Sequence, residues 1–190
     1  MTSDILQQIK RNGKEWTLFL DRDGVINEER LGRYVLNWGE FRFLDRVQEA
    51  LAIFSQIFHR IILVTNQRGV GKLLMTEQDL LHIHEQMQIE VSASGGRIDK
   101  IYYCTEVDDA CYDRKPNPGM AHQAKKDYPE IDFGKSVMVG NKGSDMKFGR
   151  AVGMFTVFIA TTNPEYPFPH PDVDVRFDSL YAFSQALILG

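Results

Sequence analysis

Apolar runs of strand length, alternating with stretches of helical periodicity, constrain this 190-residue chain more than any other feature. The runs occupy residues 16–20, 60–65, 100–104, 136–140 and 154–160, with a weaker one at 173–177. They are continuously apolar rather than alternating, the pattern of strands buried on both faces. Between them, Val47, Leu51, Phe54 and Phe58 recur at the three- and four-residue spacing of one buried helical stripe. A second helix starts at Thr76, an N-cap with Asp79 three residues on, and runs through Leu80, Ile83, Met87 and Val91 to a Gly95-Gly96 stop. Shorter helices fit residues 118–128, 144–152 and 179–189, and an N-terminal one fits residues 3–13. The expected fold is α/β: a Rossmann-like three-layer α/β/α sandwich around a parallel central sheet. At roughly 150 residues per domain, 1–190 is read as a single domain.

An open parallel sheet binds ligands beyond the carboxyl ends of its strands, so the polar residues there carry the functional reading. Asp21-Arg22-Asp23-Gly24 follows the first strand, Thr65-Asn66-Gln67-Arg68-Gly69 the second, and Asn141-Lys142-Gly143-Ser144-Asp145 the fourth. A long loop after the third ends in Arg114-Lys115-Pro116. Asp21 and Asp23 are too close to coexist as anions without a cation or a proton between them, and Mg²⁺ suits an all-oxygen site that a phosphate can enter. A carboxylate can then attack phosphorus while a neighbouring acid protonates the leaving alcohol. Thr65 and Asn66 offer a hydroxyl and an amide to phosphoryl oxygens, and Lys115 a point cation.

Other classes are disfavoured. Lys+Arg is 22 and Asp+Glu is 26, a net charge of −4 with no basic stripe, so no nucleic acid is expected. No apolar run reaches membrane-spanning length, and the charged segment 1–16 lacks the apolar centre of a signal peptide. Two cysteines make no disulfide framework, and a cytoplasmic location is expected. Gly69-Val70-Gly71-Lys72 fails the Walker pattern and is read as a flexible substrate-side loop. His82 and His84, two apart on a helix, cannot chelate together. Residues 164–171, rich in Phe and Pro, are read as an extended connector.

The order Asp-x-Asp-Gly, Thr-Asn, Lys-Pro and Gly-Asn-x-x-x-Asp, each at a strand end, resembles the four motifs of the haloacid dehalogenase (HAD) superfamily of phosphatases. Phe19 to Asn27, Tyr34-Val35, Thr65 to Val70, Tyr102-Tyr103-Cys104 and Arg114-Lys115-Pro116-x-Pro118-Gly119-Met120 are similar to the subgroup of histidinol-phosphate and heptose 1,7-bisphosphate phosphatases. The resemblance implies a HAD-like fold with no large cap domain, residues 1–14 forming an N-terminal helix and 15–190 the catalytic core. It implies Asp21 as nucleophile and Mg²⁺ ligand, Asp23 as general acid/base with its carbonyl on the metal, Thr65 as a phosphoryl contact and Lys115 as charge neutraliser. Asn66, Gln67, Arg68, Arg114 and Lys142 would bind substrate, and Asn141 and Asp145 would complete the metal site. The implied activity is hydrolysis of a small phosphorylated metabolite by a monomer or weak homodimer, with a heptose bisphosphate as the leading substrate. Histidinol phosphate, a DNA 3′-phosphate, or a non-catalytic phosphometabolite-binding role are the alternatives.

One position and one loop depart from the pattern. Asn141 stands where the superfamily usually has Asp, which removes one negative charge from the metal site. A raised magnesium requirement follows, and Asn141→Asp is expected to lower it. In the loop where the subgroup often carries zinc on Cys and His, this chain has Cys104, Glu106, Cys111 and Asp113. Zinc is not expected there, and Glu106, Asp108 and Asp109 are read as solvated.

Overall fold

The computed structural model describes residues 2–189. Helix α1 (Thr2–Asn12) leads into β1 (Thr17–Leu20), followed by α2 (Val47–Ile57), β2 (Arg60–Asn66), a one-turn α3 (Arg68–Gly71), α4 (Glu77–Ala93) and β3 (Lys100–Cys104). The chain continues through α5 (Gly119–Asp127), β4 (Ser136–Gly140), α6 (Gly143–Val152), β5 (Phe155–Ile159), β6 (Val175–Phe177) and α7 (Leu180–Ile188). All pairings are parallel, in the order β3-β2-β1-β4-β5-β6.

The four central strands, β1, β2, β4 and β5, bury both faces, which explains why their sequences do not alternate, while the edge strands β3 and β6 are only partly covered. Leu18 and Leu20 of β1, with Ile61 and Leu63 of β2, face one apolar cluster completed by Leu51 and Phe54 of α2, Ile83 and Met87 of α4, and Phe183 of α7. Phe19, Ile62 and Val64 point the other way, onto Met120, Ala121 and Ala124 of α5 and Phe148 of α6. Three layers result, a Rossmann-like α/β/α sandwich. The segment 21–46 between β1 and α2 is no separate cap: Val25, Ile26, Val35 and Phe41 anchor it in the first of these clusters.

Two local expectations are corrected. Residues 69–72, read as a flexible loop, belong to the helical turn α3 (Arg68–Gly71) and its C-cap Lys72, stitched by Lys72 N–H to Arg68 O at 2.9 Å. Residues 164–171 are turns and bends rather than an extended connector, because the Tyr166 ring stacks on Phe158 at 4.6 Å and folds the segment back on β5.

The strand order reverses direction between β1 and β4, the switch point at which an open α/β sheet leaves a crevice. Asp21 N–H donates to Val139 O at 3.0 Å, extending the β1–β4 pairing by one residue. The first carboxylate is thereby locked at the crevice floor.

Candidate active site

A cavity of about 400 Å³ opens at that switch point, lined by Asp21, Asp23, Asn66, Arg68, Arg114, Lys115, Lys142 and Asp145, with Tyr34, Asp109, Pro116 and Ser144. Its floor is a buried charge cluster. Lys115 Nζ donates to Asp21 Oδ1 at 2.8 Å and to Val64 O at 2.7 Å, and pairs with Asp145 Oδ1 at 2.7 Å. All three side chains are buried. Burial works against the Lys115 ammonium, but Asp145 and Asp21 outweigh it and raise its pKa above the ordinary lysine value. Burial lifts Asp21 to about 6, with Lys115 opposing and Asp145 adding to the rise. The cluster therefore remains short of positive charge even with its lysine in place.

Asp23 stands at the cavity edge in a separate clasp. Arg22 and Asn27 each donate to its Oδ1 at 2.9 Å, and Gln67 Nε2 to its Oδ2 at 2.9 Å. Burial pushes this carboxyl up, yet the Arg22 charge and the three donors hold it below the usual carboxylate range. Arg22 is itself fully buried, its second arm 3.3 Å from His84 Nε2 on α4.

The second motif makes contacts within the protein beyond those the sequence suggests. Asn66 lines the cavity, and its amide also clasps the Lys115 backbone, donating to its carbonyl at 2.9 Å and accepting from its N–H at 3.0 Å. Gln67 was assigned to substrate. Its amide is spent on Asp23 and on Thr65 Oγ1, both at 2.9 Å, and the side chain is buried. Thr65 lies beneath the cavity wall, accepting from Gln67 and keeping its own proton to donate. Thus Thr65, Asn66 and Gln67 tie Asp23 and the Lys115 backbone to the end of β2. Arg68, Arg114 and Lys142 do line the cavity.

Asp145 Oδ2 accepts from the N–H groups of Asn141 and Lys142 at 3.2 and 3.0 Å, tying the fourth motif to the start of α6. Asn141 is fully buried; its Nδ2 donates to Glu29 Oε2 at 2.9 Å and to Thr162 Oγ1 at 2.5 Å, while its Oδ1 is buried without a hydrogen-bond partner. Gly24, at φ +88°, makes room for this amide: a Cβ there would meet Asn141 Nδ2 at 2.0 Å. Among the described residues no three His, Cys, Asp or Glu side chains cluster to hold a metal. The resemblance would rest a cation here on a mixed oxygen set, the Asp21 and Asp145 carboxylates, the Asp23 carbonyl and Asn141 Oδ1; of these residues Asp21, Asp23 and Asp145 line the cavity. The orphaned amide oxygen and the charge deficit around Asp21 both fit a hard divalent ion.

The loop after β3 brings the Cys104 and Cys111 sulfurs to 3.9 Å, and burial raises the Cys104 thiol to about 11. Asp109 is not simply solvated. It pairs with both Arg68 and Arg114, the latter at 2.9 Å. Sequence reasoning missed Glu29, Asn27, Arg22, His84 and Thr162, because residues that hold other side chains carry no spacing signature.

Known proteins resemble this chain in sequence and in fold. Residues 112–165 match the HAD-hydrolase-like family model. The chain is 34% identical over 179 residues to the D-glycero-alpha-D-manno-heptose-1,7-bisphosphate 7-phosphatase of Mycobacterium bovis, covering 94% of each protein. The chain belongs to the heptose-1,7-bisphosphate 7-phosphatase family of HAD-like hydrolases. Within that family it is also 35% identical, over 76% of its length and 81% of the relative, to the D-glycero-beta-D-manno-heptose-1,7-bisphosphate 7-phosphatase of Vibrio cholerae. The solved D,D-heptose 1,7-bisphosphate phosphatase of B. bronchiseptica, complexed with magnesium and phosphate, superposes with a TM-score of 0.83 at 27% identity, covering 91% of this chain and 98% of that one.

Proposed function

We propose that this chain is a magnesium-dependent phosphomonoesterase that works through an aspartyl-phosphate on Asp21, with a sugar bisphosphate of the heptose 1,7-bisphosphate class as substrate. The observation that carries the reading is the convergence of Asp21, Lys115 and Asp145, within 2.8 Å contacts, at the floor of a cavity bearing Arg68, Arg114 and Lys142. The family's curated members bear heptose-bisphosphatase names and support the substrate class.

In the first half-reaction the Asp21 carboxylate attacks phosphorus, the bond to the sugar oxygen breaks, and Asp23 gives that oxygen a proton. In the second, Asp23 takes a proton from water, the water oxygen attacks phosphorus, and inorganic phosphate leaves as Asp21 is restored. The clasp on Asp23 favours its ionised form, which is the form that serves as base. An arriving phosphate dianion raises its pKa and supplies the condition for the acid step. Lys115, held by Asn66, neutralises charge on the transferring group. Bound Mg²⁺ would neutralise further phosphoryl charge, held by Asp21, Asp145, Asn141 and the Asp23 carbonyl. Arg68 and Arg114 suit the second phosphate, exchanging Asp109 for it. Residues 1–190 act as one catalytic domain in this reading, as monomer or weak homodimer. A cytoplasmic setting is supported by the two free cysteines, and no described helix is long and apolar enough to cross a membrane.

The test is hydrolysis of p-nitrophenyl phosphate and of a panel containing heptose bisphosphate, histidinol phosphate and 3′-phosphorylated DNA, with and without Mg²⁺. Magnesium-dependent turnover, greatest on the heptose bisphosphate and abolished in Asp21→Asn, is the expected result. Turnover that survives Asp21→Asn would rule out the aspartyl-phosphate route.

A further inference from the structure

Asn141 replaces a carboxylate with an amide, and an amide ligates a hard cation only if its oxygen, not its nitrogen, faces the ion. What decides the orientation is therefore a functional question. Glu29 comes from the segment between β1 and α2, far from Asn141 in sequence. Its Oε2 accepts from Asn141 Nδ2 at 2.9 Å and from Thr162 Oγ1 at 3.0 Å, while its Oε1 pairs with Lys142 Nζ. An ionised carboxylate has no proton to donate, so it can face only the NH₂ end of the amide. The opposite end, Oδ1, is left buried and unpaired. Leaving such an atom without a partner is unfavourable, a penalty that a cation at the site would remove.

We infer that Glu29 is a positioning residue for the metal centre: it locks the Asn141 amide with its oxygen available to the ion, and the pair Glu29/Asn141 acts as one unit in place of a single aspartate. The inference rests on the magnesium reading above. Thr162, donating to the same Glu29 oxygen, fixes the carboxylate in turn, and Gly24 closes the remaining side of the amide. The pairing also reverses a simple expectation about the fourth motif. An aspartate at 141 would set a carboxylate oxygen where the NH₂ now lies, 2.9 Å from Glu29. Like charges so placed repel, so Asn141→Asp alone gains little; it needs the Glu29 charge removed as well.

The experiment is a double-mutant cycle on metal affinity in the absence of substrate. Wild type, Glu29→Gln, Asn141→Asp and the double variant are titrated with Mn²⁺ by electron paramagnetic resonance, with Mg²⁺ as competitor, and checked for folding by thermal denaturation. Glu29→Gln offers an NH₂ of its own to the amide and unlocks it, and Mg²⁺ affinity should fall about 10- to 100-fold, the range for partners that orient metal ligands. The double variant should bind at least as tightly as wild type, a rescue that a merely structural Glu29 would not allow. Unchanged affinity in Glu29→Gln, or effects of the two substitutions that simply multiply, would overturn the proposal. A wild type that binds no metal would overturn the magnesium assignment itself and this proposal with it, whereas metal binding indifferent to Glu29 would leave that assignment standing.

Discussion

Arg114 shows how much a single side chain at this site must do. It is buried, its Nε donates to Asp109 at 2.9 Å and its Nη1 to the Glu106 carbonyl at 3.2 Å, so its guanidinium is held at the cavity wall before any ligand arrives. Asp109 is an exposed partner, and an exposed ion pair is worth little. A phosphate group can displace it at small cost and gain a bidentate contact in return. Arg114→Met should therefore raise KM for a sugar bisphosphate about 10-fold or more, the weight of a charge-assisted hydrogen bond. KM for p-nitrophenyl phosphate, which has no second phosphate, should move less than about threefold on the same scale. Steady-state kinetics on the two substrates check this, and equal shifts on both would place Arg114 at the transferred phosphate instead. Sequence reasoning named Arg114 because it adjoins Lys115. It did not find Asp109 as its partner, since nothing in the spacing of Arg68, Asp109 and Arg114 announces that they meet.

At the level of elements, the alternation of β and α was legible because the central strands are buried on both faces and the helices between them show an apolar stripe to the sheet; the weak run at β6 belongs to a partly covered edge strand. Thr76 caps α4 as its sequence promised: its Oγ1 accepts from Asp79 N–H at 3.1 Å and Asp79 Oδ2 accepts from Thr76 N–H at 2.8 Å. His84 on the same helix was not legible as anything but a non-chelating histidine. It proves to be the element's link to the catalytic loop, buried against Arg22 and with the Tyr103 ring at 5.8 Å. Arg22 can only donate, so Nε2 accepts and the ring is neutral. Burial, then the Arg22 charge, depress its pKa to about 3, with Asp23 opposing slightly. The unfolded chain protonates this residue near pH 6.5 and the native one does not. The unfolded state therefore binds more protons between those values, and stability that is complete above about pH 6.5 falls on acidification by up to ~1.4 kcal/mol per pH unit. Denaturant unfolding at pH 7.5 and 5.5 should show a loss about 1 kcal/mol greater for wild type than for His84→Gln, which keeps an acceptor for Arg22 but does not titrate. Equal losses in the two proteins would mean that His84 is protonated in the native state.

On the scale of the whole molecule, the site is a product of topology. Asp21 follows β1, Asn66 ends β2, Lys115 closes the loop after β3, and Asp145 lies in the first turn of α6 after β4. The convergence of those four could be anticipated from the rule that parallel strands present their carboxyl ends to one crevice. The supporting contacts from Glu29, Thr162 and Arg22 could not, because they depend on how the loops pack, which no periodicity encodes. A site assembled from segments so far apart exists only in the folded chain, so a ligand that bridges them binds the native state and not the unfolded one. Mg²⁺ with inorganic phosphate should then raise the unfolding free energy by about 2.7 kcal/mol at one hundred times their dissociation constant. For a chain of this size that corresponds to a rise in Tm of roughly 5–10 °C. Either component alone should do less, because phosphate without the cation meets the Asp21 and Asp145 charges, and the cation without phosphate leaves Lys115 and the arginines unsatisfied. Differential scanning fluorimetry over a matrix of Mg²⁺ and phosphate concentrations measures this directly. A Tm unmoved by the saturated pair would show that the four strand ends, though adjacent, do not form one binding site.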